Sequence, residues 1–256
     1  MADQRYVSKE LTHFVGRGKP AEEQYQLFLK ILRTGELLSD PARPPGGPAV
    51  RWTTVNASFS ERLMYHFPGV CFCDIPVADL GIHARKYSPF GIAFSKAFLV
   101  TQGLSPVFYI ANDSRVDPAP SRDVGIRQSP STPYTRAMLF NEMLAAFHDL
   151  SDKLLRAATS AGGADGPKAR ELGDLGKKLA LLNTYIEGYV FSFCVPFNST
   201  LDELDEGHFY MEREWRMLGD LRFLLVNVDR VILPRDHATR FRTDILDYCG
   251  QVTFAD

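Results

Sequence analysis

The chain has 256 residues, 45% of them hydrophobic and 23% charged, with a net charge of −2. This composition is globular and the length suffices to bury a core without disulfide or metal staples, so disorder of the whole chain is excluded. The balanced charge excludes a generic polyanion binder, and no apolar run reaches the ~18 residues of a membrane span.

The opening Met1-Ala2-Asp3-Gln4-Arg5 has no apolar signal core, and a cytoplasmic location is expected. Residues 11–15 read as a short strand. Pro20 then opens a helix in which Tyr25, Phe28, Leu29 and Leu32 share one face, and Gly35 stops it. Residues 40–48 hold four prolines and two glycines and form a loop. Strands are expected over 51–57, 70–75, 91–99 and 106–110, with a short helix over 76–87. Residues 112–133, rich in Pro, Ser, Asp and Arg, read as a long excursion.

The pattern then becomes helical over 135–158, with a broad apolar stripe, and again over 168–187 after a flexible joint at 160–166. These form a helical hairpin over 135–187, inserted between two halves of a sheet. Strands return at 189–195, 208–218, 221–228 and 231–234, followed by a helix over 236–248 and a last pairing segment at 252–254. Strands and helices come in blocks, which predicts a single α+β domain over 1–256 with a mixed or antiparallel sheet.

There is no phosphate-cradling P-loop, no dinucleotide-binding glycine motif, no nucleophile elbow and no zinc-spaced histidine pair. Of the four cysteines, Cys71-x-Cys73 lacks two further ligands at short spacing, so no metal is expected and buried thiols are. Arg230, Arg235, His237, Arg240 and Arg242 make a basic cluster, but Asp236, Asp244 and Asp247 interrupt it. That pattern argues for a solvated helix over a nucleic-acid surface.

The richest run is 208–217. Read as a strand, it places Tyr210, Glu212, Glu214 and Arg216 on one face and Phe209, Met211, Arg213, Trp215 and Met217 on the other. Two carboxylates on one face suit acid–base work or stabilisation of a positive transition state; the same residues also suit a ladder of ion pairs. Asp74 ends a nearly apolar strand, where it either caps the next helix or joins a site with His83, Arg85 and Lys96. His13 is a lone strand histidine.

Three runs taken together resemble the AbiGi family of abortive-infection proteins. They are Ser8 to Arg17 with Ile31 to Leu38; Cys71-Phe72-Cys73-Asp74-Ile75-Pro76 with His83, Tyr87, Phe90 to Lys96 and Pro106 to Ile110; and Tyr210 to Arg216. The resemblance implies a bacterial phage-defence role beside a toxin or effector. A more distant likeness is to ADP-ribosyltransferases, including the DarT-like enzymes. It implies a split sheet that binds NAD, from which ADP-ribose is transferred or which is hydrolysed. His13 would then anchor the ribose, Tyr87 or Phe90 would stack on nicotinamide, and Glu214, or Glu212, would stabilise the oxocarbenium-like transition state. Arg216 or Arg85 would hold the pyrophosphate, with Phe14, Asp74 and Tyr210 beside them. Glu212-x-Glu214 is similar to the E-x-E of arginine-directed transferases, except that here it is expected inside a strand and not in the preceding loop. The alternative is an interaction protein whose hairpin binds a toxin, a phage protein or another protomer; exposed apolar positions on that hairpin are its signature.

Overall fold

The computed structural model describes residues 8–40, 53–54, 65–66, 69–115, 135–161, 167–202, 205 and 207–255. Most of the proline-rich loop at 40–48, most of the excursion at 112–133 and most of the joint at 160–166 lie outside these. So does most of the strand expected over 51–57. The described chain divides into two compact units. The first comprises 1–51, 67–107 and 202–256, the second 52–66 and 108–201.

The first unit is built on a mixed seven-stranded sheet. Its strands are β1 (Glu10–Phe14), β5 (Gly69–Cys73), β6 (Gly91–Ser95), β7 (Ser105–Pro106), β10 (Glu214–Leu218), β12 (Val228–Leu233) and β13 (Gln251–Phe254), in the order β13-β12-β6-β1-β5-β10-β7. Only β12 and β13 run parallel. The seven strands form one hydrogen-bonded sheet and not two halves. A two-stranded ribbon, β2 (Glu36–Leu37) with β11 (Leu221–Arg222), lies in the same unit.

One face of the sheet is apolar and buries the core. Leu11, Val15, Phe72, Ile92, Phe94, Val231 and Leu233 pack with Tyr25, Phe28, Leu29 and Leu32 of α1 (Ala21–Thr34) and Phe241 of α6 (Ala238–Asp244). Alternation along each strand sends the intervening residues to the other face. That face is largely polar. Arg230 reaches Glu10 at 2.8 Å and Thr253 at 2.7 Å, and Phe14, Cys73, Ile75, Leu80 and Ile232 form a small apolar patch there. Leu80 belongs to α2 (Leu80–Lys86).

Gly35 adopts φ 67°, ψ 30° after α1 and returns its N–H to the Ile31 carbonyl, as the stop signal predicts. Elsewhere the chain departs from the expected strands. The segment 91–99 is a strand only to Ser95. Ser95 then caps α3 (Lys96–Thr101), its hydroxyl accepting from the Phe98 N–H at 3.2 Å. In the run 208–218, Phe209–Glu212 form a 3-10 turn, Arg213 is left-handed at φ 45°, and the strand begins only at Glu214.

The second unit contains β3 (Thr53–Thr54) paired with β4 (Tyr65–His66), and β8 (Phe108–Ala111) running parallel to β9 (Cys194–Phe197). Between β8 and β9 come α4 (Arg136–Ala161) and α5 (Pro167–Tyr185), the helices expected over 135–187. Residues 186–193 are a π turn and a 3-10 turn, so the strand expected at 189–195 starts late. In the chain this excursion departs after β7 and returns before β10, which are hydrogen-bonded neighbours in the first unit's sheet.

Candidate functional site

Glu212 and Glu214 on the polar face of the first unit are buried, and each is held by a cation. Glu212 Oε1 accepts from Lys86 Nζ at 2.9 Å and from the Tyr87 hydroxyl. Less than a tenth of either the Lys86 or the Glu212 side chain is exposed. The Tyr87 ring lies between Phe14, stacked at 6.1 Å, and His83, stacked at 6.3 Å, with the Arg17 guanidinium 4.9 Å above it. The Lys86 ammonium also sits 5.0 Å from the Phe209 ring. Burial drives the Cys73 thiol far above its usual range, with the Glu212 charge adding to it.

His83 is buried, and its Nδ1 has no hydrogen-bond partner. Burial lowers its pKa, the Glu212 charge opposes that, and Lys86 adds to it.

Glu214 faces the same side, opposite Cys73 of β5. Its two oxygens accept from Arg216 Nε at 2.9 Å and Nη2 at 3.1 Å, a two-pronged pair. Asp74, also buried, accepts from the Ser8 N–H at 3.0 Å and Lys96 Nζ at 2.7 Å, with Arg213 Nη2 3.6 Å away. It therefore clamps the start of β1 to the ends of β5 and β6. It does not cap the helix that follows, which begins after Pro76 without a side-chain cap.

These positions depart from the arrangement that the transferase likeness implies. Phe90 is fully buried in the core between Tyr25 and Phe28, so it is no stacking platform. His13 and Phe14 are consecutive on β1 and project to opposite faces. His13 lines a cavity with α1 and β2, whereas Phe14 stacks on Tyr87. His13 and Glu214 thus lie on opposite faces of the sheet. The guanidinium of Arg216 is taken up by Glu214, Arg85 is exposed on the outside of α2, and Tyr210 is half exposed beside His208. Glu212 and Glu214 straddle a turn and a strand start, so the E-x-E precedes the strand more than the alternation suggests. Lys86, which completes the Glu212 cluster, had no signal beyond its place beside Tyr87 at a helix end.

Three members of the basic cluster near the C-terminus are also paired. Arg230 binds Glu10, Arg240 binds Glu22 at 2.7 Å, and His237 binds Asp236 at 2.7 Å. No three His, Cys, Asp or Glu side chains among the described residues group as metal ligands, and no described helix is long and apolar enough to cross a membrane.

The second unit offers a different surface. The helices α4 and α5 are antiparallel. Ser151 bonds Asn183 at 3.0 Å, Ala158 abuts Gly176, and His148 approaches Glu187 at 4.0 Å. Met143, Leu150 and Leu154 recur at i, i+7 and i+11 on α4, and Leu175 and Leu182 at i, i+7 on α5, each 41–58% exposed. Each stripe lies one residue before the seam, Leu150 before Ser151 and Leu182 before Asn183, about 100° round its helix. Because the helices run in opposite directions, the same offset brings both stripes to one side of the hairpin. The stacked, half-exposed Tyr185 and Tyr189 follow on from the α5 stripe. One residue after the seam stand Asp152 and Thr184, both exposed, although Met138 and Leu181 are exposed off the stripe as well.

Residues 56–245, about three quarters of the chain, match the family model of the abortive phage resistance protein AbiGi, antitoxin. An abortive phage resistance protein AbiGi of Lactococcus lactis subsp. cremoris is 36% identical over 55 residues, 20% of this chain and 22% of that protein. The match therefore spans less than a quarter of that relative's length. No solved structure matches the chain.

Proposed function

We propose a partner-binding, non-catalytic role in phage defence for this chain, which belongs to the AbiGi family of abortive phage resistance proteins. It acts as the antitoxin of that system and docks a toxin protein through the apolar side of the α4–α5 hairpin. The observation that carries this reading is the row of exposed Met143, Leu150, Leu154, Leu175 and Leu182 along one side of the hairpin. A monomer gains nothing by leaving such a stripe in water, whereas a partner with its own apolar helix or groove buries it. The family description, which includes the word antitoxin, supports the same direction. The buried carboxylates support it too. Glu212 and Glu214 are each neutralised by a cation, which suits them to hold β10 and α2 in place.

The test is co-expression with the cognate toxin. Wild-type chain restores growth, and Leu150→Glu with Leu182→Glu abolishes the rescue while far-UV circular dichroism and the unfolding midpoint stay within error. Rescue that survives both charges overturns the docking surface. Nicotinamide release from NAD is followed in parallel. None is expected, and release that Glu214→Gln abolishes overturns the non-catalytic reading.

A further inference from the structure

Between β1, α1 and β2 lies a cavity of about 230 Å³. Val15, Ile31 and Leu37 form buried parts of its wall, while Lys30 and Thr34 lie at its exposed side. An engineered apolar cavity of about 150 Å³ admits benzene, so the space here takes one ring and a substituent.

His13 stands out on this wall because its imidazole is fixed in one state. Its Nδ1 lies 2.8 Å from the Cys71 carbonyl oxygen. A carbonyl only accepts, so Nδ1 carries the hydrogen and donates it. Burial lowers the pKa of His13 and keeps the ring neutral. Nε2 is then left with a lone pair, and no described residue donates to it. With Nδ1 turned to β5, the ring edge that bears Nε2 is the part left for the cavity.

We propose that this cavity is a binding site for a small single-ring molecule that donates an O–H or N–H to His13 Nε2. Val15, Ile31 and Leu37 bury the ring, and His13 selects among rings of equal size by the hydrogen bond. The Glu36 carboxylate on the same wall pairs with Arg222 at 3.3 Å and has no hydrogen to give His13, so the donor comes from the ligand. The site is built wholly from residues of the first unit.

Phenol and toluene are the probes, because they match in size and differ in the donor. They are titrated into the full chain by calorimetry, with the ¹⁵N resonances of His13 followed in the same samples. Phenol binds at least about tenfold more tightly than toluene and moves the Nε2 resonance, as expected for one hydrogen bond to an acceptor that no described residue meets. His13→Phe removes the preference for phenol. Ile31→Trp, which fills the space, removes binding of both probes without lowering the unfolding midpoint. Equal affinity for the two probes, a preference that persists in His13→Phe, or no binding of phenol at millimolar concentration overturns the site.

Discussion

Lys86 and Glu212 meet at 2.9 Å, with 9% and 8% of their side chains exposed, although 126 residues separate them in the chain. The pair fastens the end of α2 to the turn that launches β10. Desolvating two charges is costly, and their attraction offsets that cost only while both are present. Lys86→Ala should therefore lower stability by about 3–5 kcal/mol, because Glu212 is left buried without the cation that neutralises it. Lys86→Met with Glu212→Leu should recover most of that loss. Urea unfolding of the two variants checks it, and a double variant no more stable than the single one would show that the pair contributes more than mutual neutralisation.

Gly35 makes the second stability prediction. It sits at φ 67° between α1 and β2, and a Cβ there would meet the Phe223 carbonyl oxygen. The Phe223 N–H donates to the Gly35 carbonyl at 2.8 Å, so the strand β11 cannot withdraw without losing that bond. Gly35→Ala should cost about 2 kcal/mol or more, from the left-handed backbone and the contact together. A thermal midpoint equal to wild type would contradict it.

How far the fold could be read in advance depended on whether a local signal marked each change of direction. The helix α1 was legible because Tyr25, Phe28, Leu29 and Leu32 repeat on one face and Gly35 closes it. The run 208–218 was not, because the break falls at Arg213, a non-glycine residue at φ 45° with no proline or glycine to announce it. Tertiary bonds hold that turn. The Arg213 carbonyl accepts from the Asp74 N–H at 3.1 Å, and its side chain approaches Asp74. At 91–99 the apolar residues Phe98 and Leu99 hid a helix start, and Ser95 was the cap signal that went unread. Strand alternation does put His13 with Leu11 and Val15, away from Phe14. The transferase likeness grouped His13 with Glu214, whereas the sheet puts them on opposite faces.

The cysteines differ enough to be told apart by chemistry. Cys73 is buried, and its thiol is pushed far up by burial and by the charges of Glu212 and Asp74, so it holds its proton at neutral pH. Cys249 is exposed. In the native chain a thiol reagent should modify Cys249 at least about a hundredfold faster than Cys73, and denaturant should equalise them. Peptide mapping of the modified sites reads this directly. Rapid native modification of Cys73 would mean that the Glu212 cluster opens readily.

His83 and His13 set a pH dependence whose sign follows from which state binds the proton. Burial holds His83 below its ordinary value of 6.5 in the folded chain, and His13 shifts in the same direction. Below 6.5 the unfolded chain takes up protons that the folded chain does not. Stability is therefore full above that value and falls as the pH drops toward the folded pKa, by up to ~1.4 kcal/mol per pH unit for each histidine. His83→Gln cannot titrate, so it should make that slope shallower, and His13 should leave a residual slope of the same sign. The unfolding midpoint in urea, measured between about pH 5 and 8, distinguishes the two contributions. An unchanged slope in His83→Gln would mean that the folded chain binds the His83 proton as the unfolded chain does, with the Glu212 charge cancelling burial and Lys86.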